Sequence, residues 1–153
     1  MPDAEAVAIA KAVVTALNGA TLSETFTAVR SYAPYTDIKD LTDLTVKVFS
    51  GDWVPTPIAR KMTDNEFLVD IGIQQKLTAG LNTDAEICAF CDPLVYLVQQ
   101  IVDLFQMEPL QGYSTAACMV TQPAPVYDPE EIRTQRVFTS VIRITFRETR
   151  TLA

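Results

Sequence analysis

Two cysteines separated by two residues are the first candidates for chemistry in this chain. Cys88 and Cys91 have the spacing of a redox pair or of half a zinc site. A structural zinc site needs four ligands, but the sequence adds only Cys118 and contains no histidine. Both cysteines also lie on the apolar face of a predicted helix, whereas a thioredoxin-like pair begins its helix after a strand. We therefore expect buried, inert cysteines, with no metal and no cofactor.

The absence of histidine has a wider consequence, because it removes the commonest general base and the Ser–His and Cys–His nucleophile pairs. Carboxylates cluster at Glu130-Glu131 and among Asp37, Asp40 and Asp43, but no partner pattern assigns acid and base roles to them. The five glycines form no phosphate-binding motif. The sequence thus favours a protein that is not an enzyme, and catalysis by Cys88 or Cys91 ranks last among the alternatives.

The most regular pattern in the chain is a long alternation at residues 136–147. Alternation with β-branched and aromatic residues predicts a strand with one buried face. The opposite face carries Arg143 and Arg147, which makes it basic on an otherwise acidic protein. Such a face indicates either a surface for a partner or an ordinary solvated strand. The predicted buried face consists of Phe138, Ser140, Ile142, Ile144 and Phe146.

Charge is distributed unevenly along the 153 residues, whose formal net charge is −7. Residues 133–153 carry five arginines and a single acid, so residues 1–132 hold a net charge of −11. An acidic body disfavours tight, non-specific nucleic-acid binding, which requires several cations over phosphates. The basic strand could instead meet the acidic body of a neighbouring molecule.

Hydrophobic periodicity predicts the elements that position these residues. The predicted helices cover residues 3–17 and 84–107, and the predicted strands cover 25–32, 44–49, 66–77 and 137 onward. Thr83 and Glu86 have the spacing of a capping box at the start of the second helix. Pro93 should kink that helix or mark a second start capped by Asp92. Residues 37–43 suggest one short helical turn.

Two excursions are predicted between these elements, at residues 52–65 and 108–136. Long irregular segments in compact domains are usually functional. Their apolar side chains either fold back on the core as a lid or anchor a neighbouring subunit. The candidate contact residues on the excursions are Trp53, Arg60, Lys61, Tyr113 and Tyr127.

These elements together indicate one domain, spanning residues 1–153. The expected fold class is α+β, a mostly antiparallel sheet with helices packed on one face and extended loops or a hairpin arm. The odd number of cysteines argues against a disulfide framework. Neither a targeting segment nor a membrane span is evident, so we expect a soluble protein made in a reducing cytoplasm.

Three blocks of sequence resemble the tail terminator, also called tail completion or neck, proteins of tailed bacteriophages. The first is residues 44–49, which lead into a loop with Pro55 and Arg60. The second is residues 66–77, followed by 84–87 at the start of a helix, and the third is residues 136–147. The blocks are patterned rather than catalytic, and together they span residues 41–150. The first helix and the cysteine pair lie outside the resemblance.

The resemblance implies a structural virion protein that forms a ring, typically six-fold, at the head-proximal end of the tail. Such a ring ends tail-tube polymerisation and contacts the head connector or neck proteins, and the sheath where the tail contracts. DNA would pass through the centre without specific binding. Arg143 and Arg147 would then lie at a subunit or tube contact, and replacing both by glutamate should block assembly and leave the fold intact.

Two alternatives remain open at this point. A head-completion or adaptor protein would occupy the other side of the same joint and has the same sequence features. A small cytosolic ligand-binding domain would hold its ligand between sheet and helix, and it predicts a monomer or dimer with a defined apolar pocket.

Overall fold

A computed structural model describes residues 3–33, 41, 43–106, 109–110, 113–123 and 125–152. Two helices are present, α1 at Glu5–Gly19 and α2 at Asp84–Phe105. Six strands accompany them: β1 Ala28–Arg30, β2 Thr45–Ala59, β3 Met62–Lys76, β4 Pro109–Leu110, β5 Tyr113–Pro123 and β6 Val137–Thr151. A single π-helical turn, Glu131–Gln135, precedes β6.

All six strands belong to one sheet, in the order β1-β2-β3-β6-β5-β4. Only the β1–β2 pair is parallel, and every other neighbouring pair is antiparallel. The long strands β3 and β6 form the centre, paired continuously from Met62–Thr151 to Lys76–Val137. This architecture confirms the predicted α+β fold with a mostly antiparallel sheet.

Both helices pack on the same face of this sheet. The register places Phe67 opposite Phe146 and Ile71 opposite Ile142, and these side chains share one buried cluster with the apolar faces of α1 and α2. Each side chain of this size contributes about 1.5–3 kcal/mol when it leaves water. The helical part of the cluster includes Ile9, Val13, Leu17, Leu94, Leu97, Val98 and Ile101. The opposite face, called the outer face below, has no helix over it among the described residues.

Helix α2 begins where the capping pattern predicts. The hydroxyl of Thr83 accepts a hydrogen bond from the backbone N–H of Glu86 at 3.2 Å. The Glu86 carboxylate accepts one from Asn82 N–H at 3.4 Å, rather than from Thr83. Pro93 lies inside one continuous helix, so the prediction of a second start capped by Asp92 is wrong.

The first excursion is a hairpin and not a loop. Strand β2 continues through Gly51 to Ala59, turns at Arg60-Lys61, and returns as β3. The prediction failed because Gly51, Pro55 and Pro57 normally break strands. Proline is nevertheless tolerated on an edge strand, where its missing N–H faces away from the neighbour.

Other boundaries also differ from the predictions. Strand β1 is only three residues long. The second excursion contains β4, β5 and the π-helical turn, which agrees with an extended arm or hairpin for part of its length. The short helical turn predicted at 37–43 lies mostly outside the described residues.

Helix α2 also meets the length and composition of a membrane span, with a mean hydropathy of 1.4 over its most apolar window. A core helix of a globular protein meets the same criteria. In this structure α2 buries six side chains against the sheet, from Cys91 to Phe105.

Candidate assembly surfaces

The distal half of the sheet contains the longest continuous exposed stretch among the described residues, Gly51–Met62. We call it the arm: residues 50–59 of β2, 62–66 of β3 and 147–151 of β6, with the tip at Arg60-Lys61. Every residue from Gly51 to Lys61 is exposed. Of the nine large hydrophobic side chains exposed in the described residues, five belong to the arm or directly follow it. These five are Trp53, Val54, Ile58, Met62 and Leu152.

Trp53 is held in place on the arm but is not covered. Its indole ring stacks on Phe67, with ring centroids 6.1 Å apart, and its Nε1–H donates to Asn65 Oδ1 at 3.1 Å. About half of the side chain, 51%, is still accessible. Trp53 is therefore a fixed aromatic surface on an extended strand, and the lid interpretation of this segment is wrong.

The tip of the arm combines apolar side chains with unpaired cations. Lys61 adopts a positive φ of 60°, as a tight turn requires, and its carbonyl accepts a hydrogen bond from Leu152 N–H at 2.6 Å. Ile58, Met62 and Leu152 surround the turn, with 54%, 36% and 40% of their surfaces accessible. Arg60 has no acidic partner among the described residues, and neither has Lys61.

The outer face carries both predicted strand arginines, but they do not form a free basic strip. Arg143 donates two hydrogen bonds to Asp70, at 3.0 and 3.3 Å. Arg147 likewise binds the Asp64 carboxylate through two nitrogens. The two acids belong to the neighbouring strand β3, so the positive charge of β6 is neutralised inside the molecule. The expected complementarity between this strip and a neighbour's acidic body therefore loses its basis.

These ion pairs also perturb the titration of their members. The hydrogen bond to Asp70 raises the pKa of Arg143, and the carboxylate charge adds to this effect. The hydrogen bond from Arg147 lowers the pKa of Asp64 below its ordinary value of 3.8, although desolvation opposes the shift. Asp64, Arg143 and Arg147 are accordingly charged at neutral pH.

The helix-covered face ends in a polar cluster beneath the N-terminus of α1. Arg150 of β6 binds Glu5 of α1 at 2.8 Å. Around this pair, buried polar atoms of Thr63, Asn65 and Glu148 have no hydrogen-bond partner among the described residues. Unpaired buried polar groups lower stability, so this cluster weakens the contact between α1 and the arm.

The three cysteines are free thiols in different surroundings. Cys91 is buried, and desolvation raises the pKa of its thiol. Cys88 is exposed, so the prediction that it is buried is wrong. Cys118 is buried, with Thr121 Oγ1 at 3.1 Å. No group of three or more metal-binding side chains occurs in the part of the chain that the structure describes.

The tyrosines of the second excursion lie away from the arm tip or cannot be placed. Tyr113 begins β5, and its side chain lies outside the described atoms. Tyr127 is half-exposed beside α2, next to the end of β6 that is opposite the arm. Together with Ile87, Cys88 and Phe138 it lines a cavity of about 190 Å³.

A further surface was missed by the sequence reasoning. One exposed stripe of α2, the α2 stripe, consists of Ala85, Cys88, Ala89, Asp92, Tyr96, Gln99 and Asp103. Helix α2 contains four acids and no basic residue. The helical periodicity that predicts the buried face of α2 also predicts which residues lie on its exposed face. The α2 stripe could have been found from the sequence in this way.

Comparison with known proteins adds no assignment, because no protein-family model and no curated protein matches the chain. We therefore infer the function from the geometry of the arm and from the sequence resemblance.

Proposed function

We propose that this chain is a structural subunit of a tailed-bacteriophage virion, a tail terminator that forms a ring between the tail tube and the head connector. Its partners are other copies of itself, the tube protein and the connector or neck proteins. A sheath would join them in a contractile tail, and DNA passes through the ring without specific binding.

The observation that carries this proposal is the arm. A monomeric protein rarely leaves several large apolar side chains exposed on one extended hairpin, whereas an assembly subunit covers such side chains with its neighbour. Trp53 at its base is fixed by stacking and a hydrogen bond, as an interface anchor is.

The positions of the three resembling blocks support the same proposal. Residues 44–49 fall on β2, 66–77 fall largely on β3, and 136–147 fall largely on β6. These strands are neighbours in the sheet, so the resembling blocks form one continuous structural unit. The arm extends from the same three strands, although its own residues lie almost entirely beyond the three blocks.

The ligand-binding alternative is less well supported by the cavities. The cavity between α2 and the segment that precedes β6 is about 190 Å³, whereas small-molecule sites occupy roughly 300–1,000 Å³. A larger depression of about 660 Å³ lies at the end of β3, lined by Thr78, Gly80 and Arg136 among others. That depression does not lie between the sheet and a helix, where this alternative would place the ligand.

The native mass of the purified protein, measured over a wide concentration range, is the first test. A terminator should give a discrete ring, with six copies as the expected number, and a stable dimer would contradict the proposal.

A second test uses tail tubes assembled from the cognate tube protein. Adding the terminator should stop tube elongation. Electron micrographs should then show the terminator at one end of each tube. Tubes of unchanged length with bare ends would refute the assignment even for a ring-forming protein. The neck-protein alternative predicts binding to the head connector and no effect on tubes.

A further inference from the structure

The charges that are left unpaired in the structure indicate where two copies meet. On the sheet, Arg143 and Arg147 are neutralised by acids of the same molecule. At the tip of the arm, Arg60 and Lys61 have no acidic partner among the described residues. A cationic tip with three exposed apolar neighbours is complementary to a partner surface that is both apolar and acidic.

The backbone of the arm excludes strand pairing along the free edge of β2 as the mode of contact. β1 pairs with β2 only from Val46 to Val48, so the distal part of β2 is a free edge among the described strands. Pro55 and Pro57 lie two residues apart on this edge and both lack an N–H. Another strand cannot complete a hydrogen-bonded ladder there, so the arm must make contact through its side chains.

The α2 stripe has the complementary chemistry. Asp92 and Asp103 are exposed on it and have no basic partner among the described residues. Between them lies Tyr96, with 54% of its surface accessible. The two carboxylates are 11 positions apart, or about 16 Å along the helix, with the aromatic ring between them.

We propose that the arm tip of one copy binds the α2 stripe of a second copy. Ile58 and Met62 pack on Tyr96, while the guanidinium of Arg60 and the ammonium of Lys61 pair with the two aspartates. This inference rests on the self-assembly in the proposed function and identifies its contact surfaces. Since the tip and the stripe are different patches, the contact is heterologous and generates a closed ring when the rotation closes.

A charge-exchange experiment tests the proposal. The tip variant carries Arg60→Glu and Lys61→Glu, and the stripe variant carries Asp92→Lys and Asp103→Lys. Each variant alone places like charges at every contact, so its self-association should weaken at least about tenfold. An equimolar mixture should assemble again, because each tip then faces a stripe of opposite charge. Recovery on mixing also shows that neither variant has simply lost its fold.

Two controls define the result. Lys47→Glu with Lys76→Glu makes the same charge change at two lysines that have no ion-pair partner in the described part of the chain, and it should leave self-association unchanged. In the wild-type protein at its highest soluble concentration, a zero-length carbodiimide cross-linker should join Lys61 to Asp92 or Asp103 of another chain. Peptide mapping of mixed light and heavy isotope-labelled protein identifies such links as intermolecular.

The outcomes separate this inference from the ring itself. If a discrete ring forms and neither variant weakens it, the tip–stripe contact is wrong while the ring stands. If the Lys61 link forms but only open chains assemble, the contact stands and the terminator proposal fails. The tip–stripe contact is refuted if the wild-type protein forms no intermolecular Lys61 link and the two variants do not associate when they are mixed.

Discussion

Replacing Arg143 by methionine tests whether the arginines of β6 stabilise the fold. Methionine keeps most of the side-chain length and removes both hydrogen bonds to Asp70, at 3.0 and 3.3 Å. The Asp70 side chain is only 10% exposed, so its carboxylate would lose its main partners in a place that water reaches poorly. A buried carboxylate without a partner lowers stability.

The magnitude follows from how much of each partner is exposed. Exposed ion pairs contribute about 0.2–1 kcal/mol, and breaking a fully buried pair costs about 3–5 kcal/mol. Here one partner is nearly buried, but 48% of the Arg143 side chain is accessible, so water replaces part of the lost interaction. We expect Arg143→Met to lower the free energy of unfolding by about 1–2 kcal/mol.

Urea unfolding measures this loss, and a double variant isolates its cause. Asp70→Leu combined with Arg143→Met removes both charges and places an apolar side chain opposite Phe49, its partner on β2. Removing both partners should restore most of the lost stability. The ion pair does not stabilise the fold if Arg143→Met changes the free energy of unfolding by less than about 0.3 kcal/mol. The same conclusion follows if the double variant loses as much stability as the two single variants lose when their losses are added.

The same reasoning corrects the expectation that glutamate at both arginine positions leaves the fold intact. Strand β3 already carries Asp64, Glu66 and Asp70 on the outer face, with Glu66 and Asp70 directly opposite the two arginines. Glutamates at 143 and 147 would place like charges across the strands, which destabilises a sheet. A loss of assembly in that variant would then report unfolding rather than a broken interface.

Three further predictions concern single side chains. Thr83→Ala should lower the free energy of unfolding by about 1 kcal/mol in urea titrations, because the hydroxyl accepts the N–H of Glu86 at the start of α2. Thr83→Ser keeps that acceptor and serves as its control. Thr63→Val should instead raise the free energy of unfolding by about 1 kcal/mol, because the buried Thr63 hydroxyl has no hydrogen-bond partner among the described residues. A loss of stability in this variant would show that the hydroxyl makes a hydrogen bond. Arg147 lowers the folded-state pKa of Asp64, so this pair stabilises the fold above pH 3.8 and the benefit disappears as the pH falls below that value. The stability advantage of wild type over Asp64→Asn should therefore shrink as the pH falls below 3.8 and be lost below the folded-state pKa of Asp64, and an unchanged advantage would contradict the assigned shift.

The central strands and both helices could be predicted because their patterns are strong. In β6, apolar residues alternate from Phe138 to Phe146, and this period of two identifies the helix-covered face, although Val137, Thr139 and Val141 on the other face are buried as well. In α2, the apolar repeat and the Thr83 cap predict both the face and the start. These signals are local, so one sequence is enough to detect them.

The arm and the ion pairs could not be predicted in the same way. Gly51, Pro55 and Pro57 indicate a loop unless the segment is known to be an edge strand, which depends on the whole sheet. The Asp70–Arg143 pair joins residues 73 positions apart, and it depends on the register between β3 and β6. The alternation of acids on β3 would have indicated such a pair once the two strands were placed side by side.

The structure also changes the interpretation of the uneven charge along the sequence. Counting residues suggests a basic C-terminal region that attracts an acidic body, but four of its five arginines bind acids of the same chain, three of them on β3 and α1. Attraction between copies must then come from charges that the fold leaves unpaired. At the proposed contact these are the two cations of the arm tip and the acids of the α2 stripe. Because these groups are exposed, salt screens their attraction. Added salt should therefore weaken the wild-type assembly and strengthen association of the tip variant with itself, since screening then reduces a repulsion.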